Sequence, residues 1–363
     1  MSKLERLLNE FCPYGVEYAK LAKVCYIASG KDHKKLEDGK FPVYGSGGIM
    51  RYVDSFLYNK PSVLIPRKGS ISNLFYVEQP FWVVDTIFYT EIDEIQIVPK
   101  FLYYVLSKMH LEELNSAGGV PSLTKSVLDC VSIPLPPLPV QEEIVRILDK
   151  FTSLEAELEA ELEARKKQFS FYRDELIELE DIECKPLGEV CRNLDYLRRP
   201  VTKSTRSIGE YPYYGASGIV DYVDDYIFNG DYLLVSEDGA NLVARTTPIA
   251  FSASGKIWVN NHAHILEFEN KVTQRFVEFL FSSMDISNYI NTAAQPKLTQ
   301  ASLNNIRIPF PPFEVQARIV SILDRFDALV NDITQGLPAE LAARRRQYEY
   351  YRDKLLTFKE KAS

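Results

Sequence analysis

Two sets of polar loops hold the side chains of this sequence whose types and spacing could do chemistry. The first set is Lys31-Asp32-His33-Lys34-Lys35 and Pro66-Arg67-Lys68-Gly69-Ser70-Ile71-Ser72-Asn73. The second is Leu197-Arg198-Arg199-Pro200 with Lys203 and Arg206, then Ser236-Glu237-Asp238-Gly239-Ala240-Asn241 with Arg245. Arginine and lysine neutralise phosphates or pair with guanine, asparagine and glutamine pair with adenine, and carboxylates accept from cytosine. Glycines among them let a backbone come close to a ligand. Any one of these residues is equally at home in an ordinary solvated loop. The presence of two differing polar sets is what points to readout of a nucleic acid.

Catalytic chemistry is not evident. There is no P-loop, and Gly45-Ser46-Gly47-Gly48 and Gly215-Ala216-Ser217-Gly218 lack a dinucleotide-binding context. No Asn-Pro-Pro-aromatic methyltransferase motif and no nuclease-like Asp…Glu-x-Lys cluster stands out. Ser46 and Ser217 have no recurring histidine partner. His262 and His264 alternate along a strand-like run, which points both to one face. They are expected to be structural, because no further metal ligands can be identified. The chain is therefore read as a non-catalytic binding protein with no cofactor.

The 363 residues carry a formal net charge of −8. Residues 140–182 account for most of it, with 6 basic against 13 acidic side chains. Residues 1–139 are balanced, at 15 against 15, so basic groups can still gather on one face. No apolar run approaches the roughly 20 residues of a membrane span, and the N-terminus lacks a signal-peptide pattern. A cytoplasmic location and no membrane partner are expected. The five cysteines form no C-x-x-C pair, which favours reduced thiols.

The loops sit on an internal repeat. Residues 133–151 and 308–326 are identical at 12 of 19 positions, at an offset of 175. Arg165–Asp174 matches Arg344–Asp353 at an offset of 179, so the second copy holds four extra residues, around Gly336-Leu337-Pro338. Phe41–Ile49 echoes Tyr211–Ile219, and Gly119–Thr124 echoes Ala294–Thr299. Duplicated scaffolds with differing loops and no shared catalytic set read as binding modules.

Each globular copy reads as mixed α/β. Strand-like runs occur at Ser62–Pro66, Phe81–Tyr89, Tyr232–Ser236 and His264–Phe268, and helices near Lys100–Asn115 and Thr273–Ile290. A proline-rich hinge then leads into a 3-4 apolar alternation. It runs Ile144, Ile147, Phe151, Leu154, Leu158, Phe169, Tyr172, Leu176, Leu179 in the first copy, and Ile319, Ile322, Phe326, Leu329, Ile333, Tyr348, Tyr351, Leu355, Phe358 in the second. This is a coiled-coil seam. As one helix, residues 141–179 would span about 58 Å, so the economical cover for its stripe is the other copy's helix. Gly336 and Pro338 should kink or break the second helix. Glu155, Glu157, Glu159, Glu161 and Glu163 read as a solvated face. The fold class is α+β, with two similar globular α/β domains and two long coiled-coil helices. The segments are 1–139 globular, 140–181 helix, 182–313 globular, 314–358 helix and 359–363 tail.

The paired Pro-Leu-Pro-Pro-Leu-Pro-Val-Gln-Glu-Glu-Ile-Val (134–145) and Pro-Phe-Pro-Pro-Phe-Glu-Val-Gln-Ala-Arg-Ile-Val (309–320) carry a family resemblance. So do the helix end Arg-Arg-Arg-Gln-Tyr-Glu-Tyr-Tyr-Arg-Asp-Lys-Leu-Leu (344–356) and the Tyr-Gly-Ser-Gly-Gly and Tyr-Gly-Ala-Ser-Gly turns. Over essentially its whole length the sequence resembles the specificity subunit of type I restriction–modification enzymes. The resemblance implies two target recognition domains on conserved spacer helices packed antiparallel. It further implies an asymmetric bipartite site on double-stranded DNA, two modification (methyltransferase) subunits and restriction (translocase/nuclease) subunits as partners. Catalysis would belong to those partners. Together with the loop reading it nominates Lys34, Lys35, Tyr44, Ser46, Arg67, Lys68, Ser70, Asn73 and Lys125 in the first domain as DNA contacts. In the second it nominates Arg198, Arg199, Lys203, Tyr214, Ser217, Glu237, Asp238, Asn241, Arg245 and Lys297. Gly118-Gly119-Val120 replaces Ala293-Ala294-Gln295, a departure that would cost the first domain a polar contact. Two other readings stand beside this one: a specificity subunit of a standalone or type II-like methylation system, and a coiled-coil adaptor that binds no DNA.

Overall fold

Short antiparallel pairs of strands tie the start of each globular part to its end. Glu17–Lys20 pairs with Ser132–Leu135, placing Ala19 opposite Ile133. Cys184–Pro186 pairs with Arg307–Pro309, placing Lys185 opposite Ile308. This is the same register in both repeats. The structure, a computed structural model, describes residues 2–114, 122–179, 182–292 and 295–361. The compared stretches Gly118–Val120 and Ala293–Ala294 lie outside the described residues.

The chain forms two compact units, Met1–Glu159 with Glu340–Ser363, and Ala160–Ala339. Each unit joins one globular part to two half-length helical segments, a division that differs from the sequence-based segments. The principal helices are α1 (Lys3–Phe11), α2 (Pro99–Lys108), α3 (Leu138–Ile177), α4 (Lys271–Ser283), α5 (Phe313–Asn331) and α6 (Leu337–Leu355). The helices α2 and α4 end before the sequence pattern suggests. No helix among the described residues is long and apolar enough to cross a membrane.

In the first unit a four-stranded antiparallel sheet has the order Cys25–Ser29, Ile87–Ile92, Ser62–Pro66, Phe75–Val77. A three-stranded sheet has the order Gly48–Val53, Asp38–Gly45, Trp82–Val83. The second unit has one six-stranded sheet, because a single ten-residue strand, Ala250–Val259, serves both sets. Its counterpart in the first unit is split at Glu78–Phe81, where Pro80 has no amide hydrogen to offer a ladder. Each Tyr-Gly-x-x-Gly motif is the tip of a tight hairpin. Gly45 pairs with Gly48 and Gly215 with Gly218. Gly48 and Gly218 have φ of +112° and +113°, a conformation that favours glycine.

The recurring glutamine after each proline hinge is buried and joins three segments. Gln141 accepts from Val98 N at 2.8 Å and donates to Pro136 O at 2.7 Å and Gln96 O at 3.1 Å. Gln316 accepts from Thr273 Oγ1 at 2.9 Å and donates to Pro311 O at 2.8 Å. About two turns further on, Asp149 takes Tyr104 Oη at 2.6 Å and Lys100 at 3.0 Å, while Asp324 takes Arg275 at 2.7 Å. The hinge is thus a fastening between the domain helix and the long helix.

The apolar seam is closed twice. Phe151 of α3 lies 5.4 Å from the ring of Tyr351 and 6.5 Å from that of Tyr348. Its repeat mate Phe326 lies 5.7 Å from Tyr172 and 6.5 Å from Phe169. Arg345 bridges Glu155 at 2.7 Å and also Glu159, so part of the acidic face is paired, not simply solvated. Helix α5 stops before Gly336, where a side chain would meet Ala328 O and Asp332 O, and α6 begins at Leu337.

Helix α1 is absent from the sequence reading. Ser2 and Glu5 form a capping box, and Leu4, Leu7 and Leu8 join the core of the first unit. Lys3 Nζ lies 2.8 Å from the buried Glu143, which also binds Arg146 at 2.6 Å. The Arg146 hydrogen bond, working against burial and helped by Lys3, holds the Glu143 carboxyl down to about 2.

Two outcomes follow. Gln141→Ala strands a buried amide and two carbonyls, and should destabilise the first unit by about 2–4 kcal/mol, read as a lowered midpoint in calorimetric unfolding of the full chain. A depressed carboxyl contributes stability above its ordinary value of 4.5, and that contribution is lost as pH falls through about 2. The gap in unfolding midpoint between the parent and Glu143→Gln should therefore narrow as pH is lowered from 5 towards 2, as followed by circular dichroism.

Candidate nucleic-acid interface

The central strand of each sheet delivers the chain to the same backbone arrangement. Arg67 N donates to Thr86 O at 3.0 Å, and Glu237 N to His262 O at 2.9 Å. Leu123 N donates to Arg67 O at 2.9 Å, and Leu298 N to Glu237 O at 2.8 Å. Lys68 is bridged to Ser122, and Asp238 to Lys297. On one main-chain frame the first unit thus presents Arg67, Lys68 and Ser122, and the second presents Glu237, Asp238 and Lys297.

In the first unit Arg67 is half-buried and Lys68 exposed. Arg67 lies over the Phe88 ring at 5.2 Å, and its Nε has no hydrogen-bond partner. Lys68, Ser70 and Asn73 are exposed. Asn73 donates to Ser46 O at 3.4 Å, which brings this loop against the hairpin tip. Ser46 and Lys34 line an open cavity of about 780 Å³ beside Thr86 and His33, whose Nδ1 also lacks a partner.

The second unit fills the equivalent place with ion pairs. Glu237 binds Arg198 at 2.6 Å and Lys297 at 3.1 Å. His264 is fully buried, with Nδ1 2.5 Å from Asp195 Oδ2 and Nε2 2.8 Å from Leu298 O. Burial opposes ionisation of Asp195, but His264, Arg198 and the Ile265 amide outweigh it and hold its carboxyl below the ordinary value. His262 is exposed and meets Asp238 at 2.9 Å, so the two histidines do not share one environment as their alternation suggests. Asp195, Glu237 and His264 offer ligand atoms within 4.8 Å of one another. Arg198 and Lys297 already neutralise this set, and its atoms are hydrogen-bonded within the protein, which fits an ion-pair network better than a metal centre.

Of the nominated residues, Lys34, Lys35, Lys68, Ser70, Asn73, Arg199, Lys203, Ser217 and Lys297 are exposed. The structure joins Ser46, Lys68, Ser70 and Asn73 into one cluster, while Lys35, Arg199 and Lys203 stand apart from the paired groups. Several others hold the fold together. Tyr44 is buried against Phe75 and Phe81, and Tyr214 stacks on Phe251. Lys125 donates to Ile27 O at 2.9 Å and lies 3.7 Å over Tyr26. Arg245 caps the end of α4 through Phe281 O and Met284 O, and Asn241 fastens Thr246 and Thr247. Each of these side chains serves the fold here, because a polar side chain in a loop can bond the backbone as readily as a ligand. Asp195 escaped the sequence reading, since nothing in the chain marks it as the partner of a histidine 69 residues away. Burial pushes the Cys25 and Cys191 thiols up to about 12, and all five cysteines are free.

Comparison with known proteins agrees with this architecture. Residues 13–164 and 179–343 match the type I restriction modification DNA specificity domain. A Haemophilus influenzae chain named as a type I restriction enzyme specificity subunit is 39% identical over 193 residues, covering 52% of this chain but only 50% of its own length. The Escherichia coli EcoR124I/EcoR124II specificity subunit is 29% identical over 402 residues, covering 99% of this chain and 97% of its own. The crystal structure of a type I restriction–modification S subunit from M. genitalium shares the fold, with a TM-score of 0.66 at 17% identity over 94% of this chain and 96% of that one. The chain belongs to the family of type I restriction–modification DNA specificity proteins.

Proposed function

We propose that this chain is the DNA-reading subunit of a type I restriction–modification complex. Each unit reads one half of an asymmetric bipartite target, and the helices set the length of an unread gap. The observation that carries this reading is the inverted chemistry on one shared frame. Arg67 and Lys68 suit phosphate or guanine, while Asp238, next to the buried and ion-paired Glu237, suits the cytosine amino group. Two copies of a scaffold with opposite side chains at the same place fit two different half-sites. The forty-residue α3 passes from one unit into the other without a break, which suits a spacer. Double-stranded DNA, two modification subunits and the restriction subunits are the proposed partners, and methyl transfer and cleavage are assigned to them.

The main test is methylome sequencing of a host that expresses this chain with its modification subunit. One methylated motif of two short halves with a fixed gap is expected. An intact complex that marks no such motif would favour the adaptor reading. Within that assay, deleting Gly336–Ala339 should change the gap, and an unchanged gap would discard the ruler. On a purified complex, Arg67→Ala should weaken the cognate duplex by about 1–3 kcal/mol and relax one base position. Lys68→Ala should weaken all sequences alike and lower the salt slope by about 1.

A further inference from the structure

The two units differ in one structural respect that the repeat makes visible. The first unit takes its second long-helix segment from α6, so its own N-terminal segment is spare and forms α1. The equivalent chain in the second unit is already used as the end of α3, and no described helix of that unit takes the place of α1. The surfaces record the difference. Val140 is completely buried, whereas its repeat mate Val315 is 38% exposed. Leu138 is half-buried, whereas Phe313 is 50% exposed. The cavity beneath the first hinge, about 440 Å³, has Phe11 and Cys12 at the end of α1 in its wall. The matching cavity beneath the second hinge is about 570 Å³, and no counterpart of Phe11 lines it.

Charge defines what fits there. In the first unit Lys3 of α1 meets Glu143. The repeat mate of Glu143 is Arg318, which is exposed and forms no ion pair among the described residues. A second copy's α1 would bring Lys3 against Arg318 and be repelled. We infer that the face formed by Phe313, Val315 and Arg318 is a docking site for an amphipathic helix of another protein, with a leucine-type stripe and a carboxylate in its first turn. This inference is independent of what the loops bind.

The test uses the full chain and a fluorescent, N-acetylated peptide of residues 2–11 carrying Lys3→Glu, read by anisotropy beside the unmodified peptide. The Lys3→Glu peptide should bind roughly fivefold better, as one exposed ion pair allows. Arg318→Glu in the chain should reverse that order. Val315→Glu should weaken either peptide about tenfold, as loss of one buried valine contact implies. Both chain variants alter exposed positions, and circular dichroism checks their folding. Binding indifferent to Val315→Glu, a preference unmoved by Arg318→Glu, or no binding of either peptide at millimolar concentration would overturn the proposal. Tighter binding of the unmodified peptide would overturn it in favour of α1 from a second copy.

Discussion

Phe151 and Phe326 occupy the same point of the two repeats, and each is covered by two rings from a helical segment far away in the chain. For Phe151 the rings are Tyr348 and Tyr351; for Phe326 they are Phe169 and Tyr172. A helix that leaves its domain carrying an apolar stripe must find such a cover or expose the stripe to water. The duplicated sequence supplies the cover with its own repeat. The first unit consequently cannot be finished until Glu340–Ser363 exist, because α6 closes it. Contacts this remote in sequence make loop closure the costly step of folding.

Everything else hangs from that seam through the hinge. Gln141 and Gln316 turn a proline-rich exit, which lacks amide donors of its own, into a hydrogen-bonded joint with the domain helix. Asp149 and Asp324 repeat the attachment about two turns later through different partners, Tyr104 and Lys100 in one case and Arg275 in the other. The first unit needs a further closure, because its two helical segments are not joined to its first strand by the chain. Val16 supplies it, exchanging hydrogen bonds of 2.9 Å with Lys359 and Lys361 of the tail.

Much of this was legible in the sequence because repetition is a strong signal. The offsets of 175 and 179 located the hinges, the helices and the four-residue insertion at Gly336 before any coordinates. The Tyr-Gly-x-x-Gly turns were legible as turns. What escaped depends on tertiary contact. Helix α1 has no repeat mate, so the duplication gave no hint of it. Arg245, Lys125 and Tyr44 cap a helix, anchor a loop and fill a core in this structure, and composition reports none of those contacts. The Asp195–His264 pair spans 69 residues and two elements, and no periodicity reports it.

The inverted positions Arg67 and Glu237 show how one frame can hold opposite chemistry. The bonds that fix the loop, from Leu123 and Leu298 and to Thr86 and His262, are all main chain and do not depend on which side chain is present. The side chain must still be reconciled with its surroundings. Arg67 rests on the Phe88 ring, whereas the matching ring position in the second unit is His264, tied to Asp195. Glu237 is held by Arg198 and Lys297, whereas the first unit has Ser122 where Lys297 stands. Exchanging one residue between the units would bury a charge without its partners, at a cost of several kcal/mol. The frame therefore admits a new side-chain set only when its members change together, and the two units differ at each of these positions while sharing the two main-chain bonds that fix the loop.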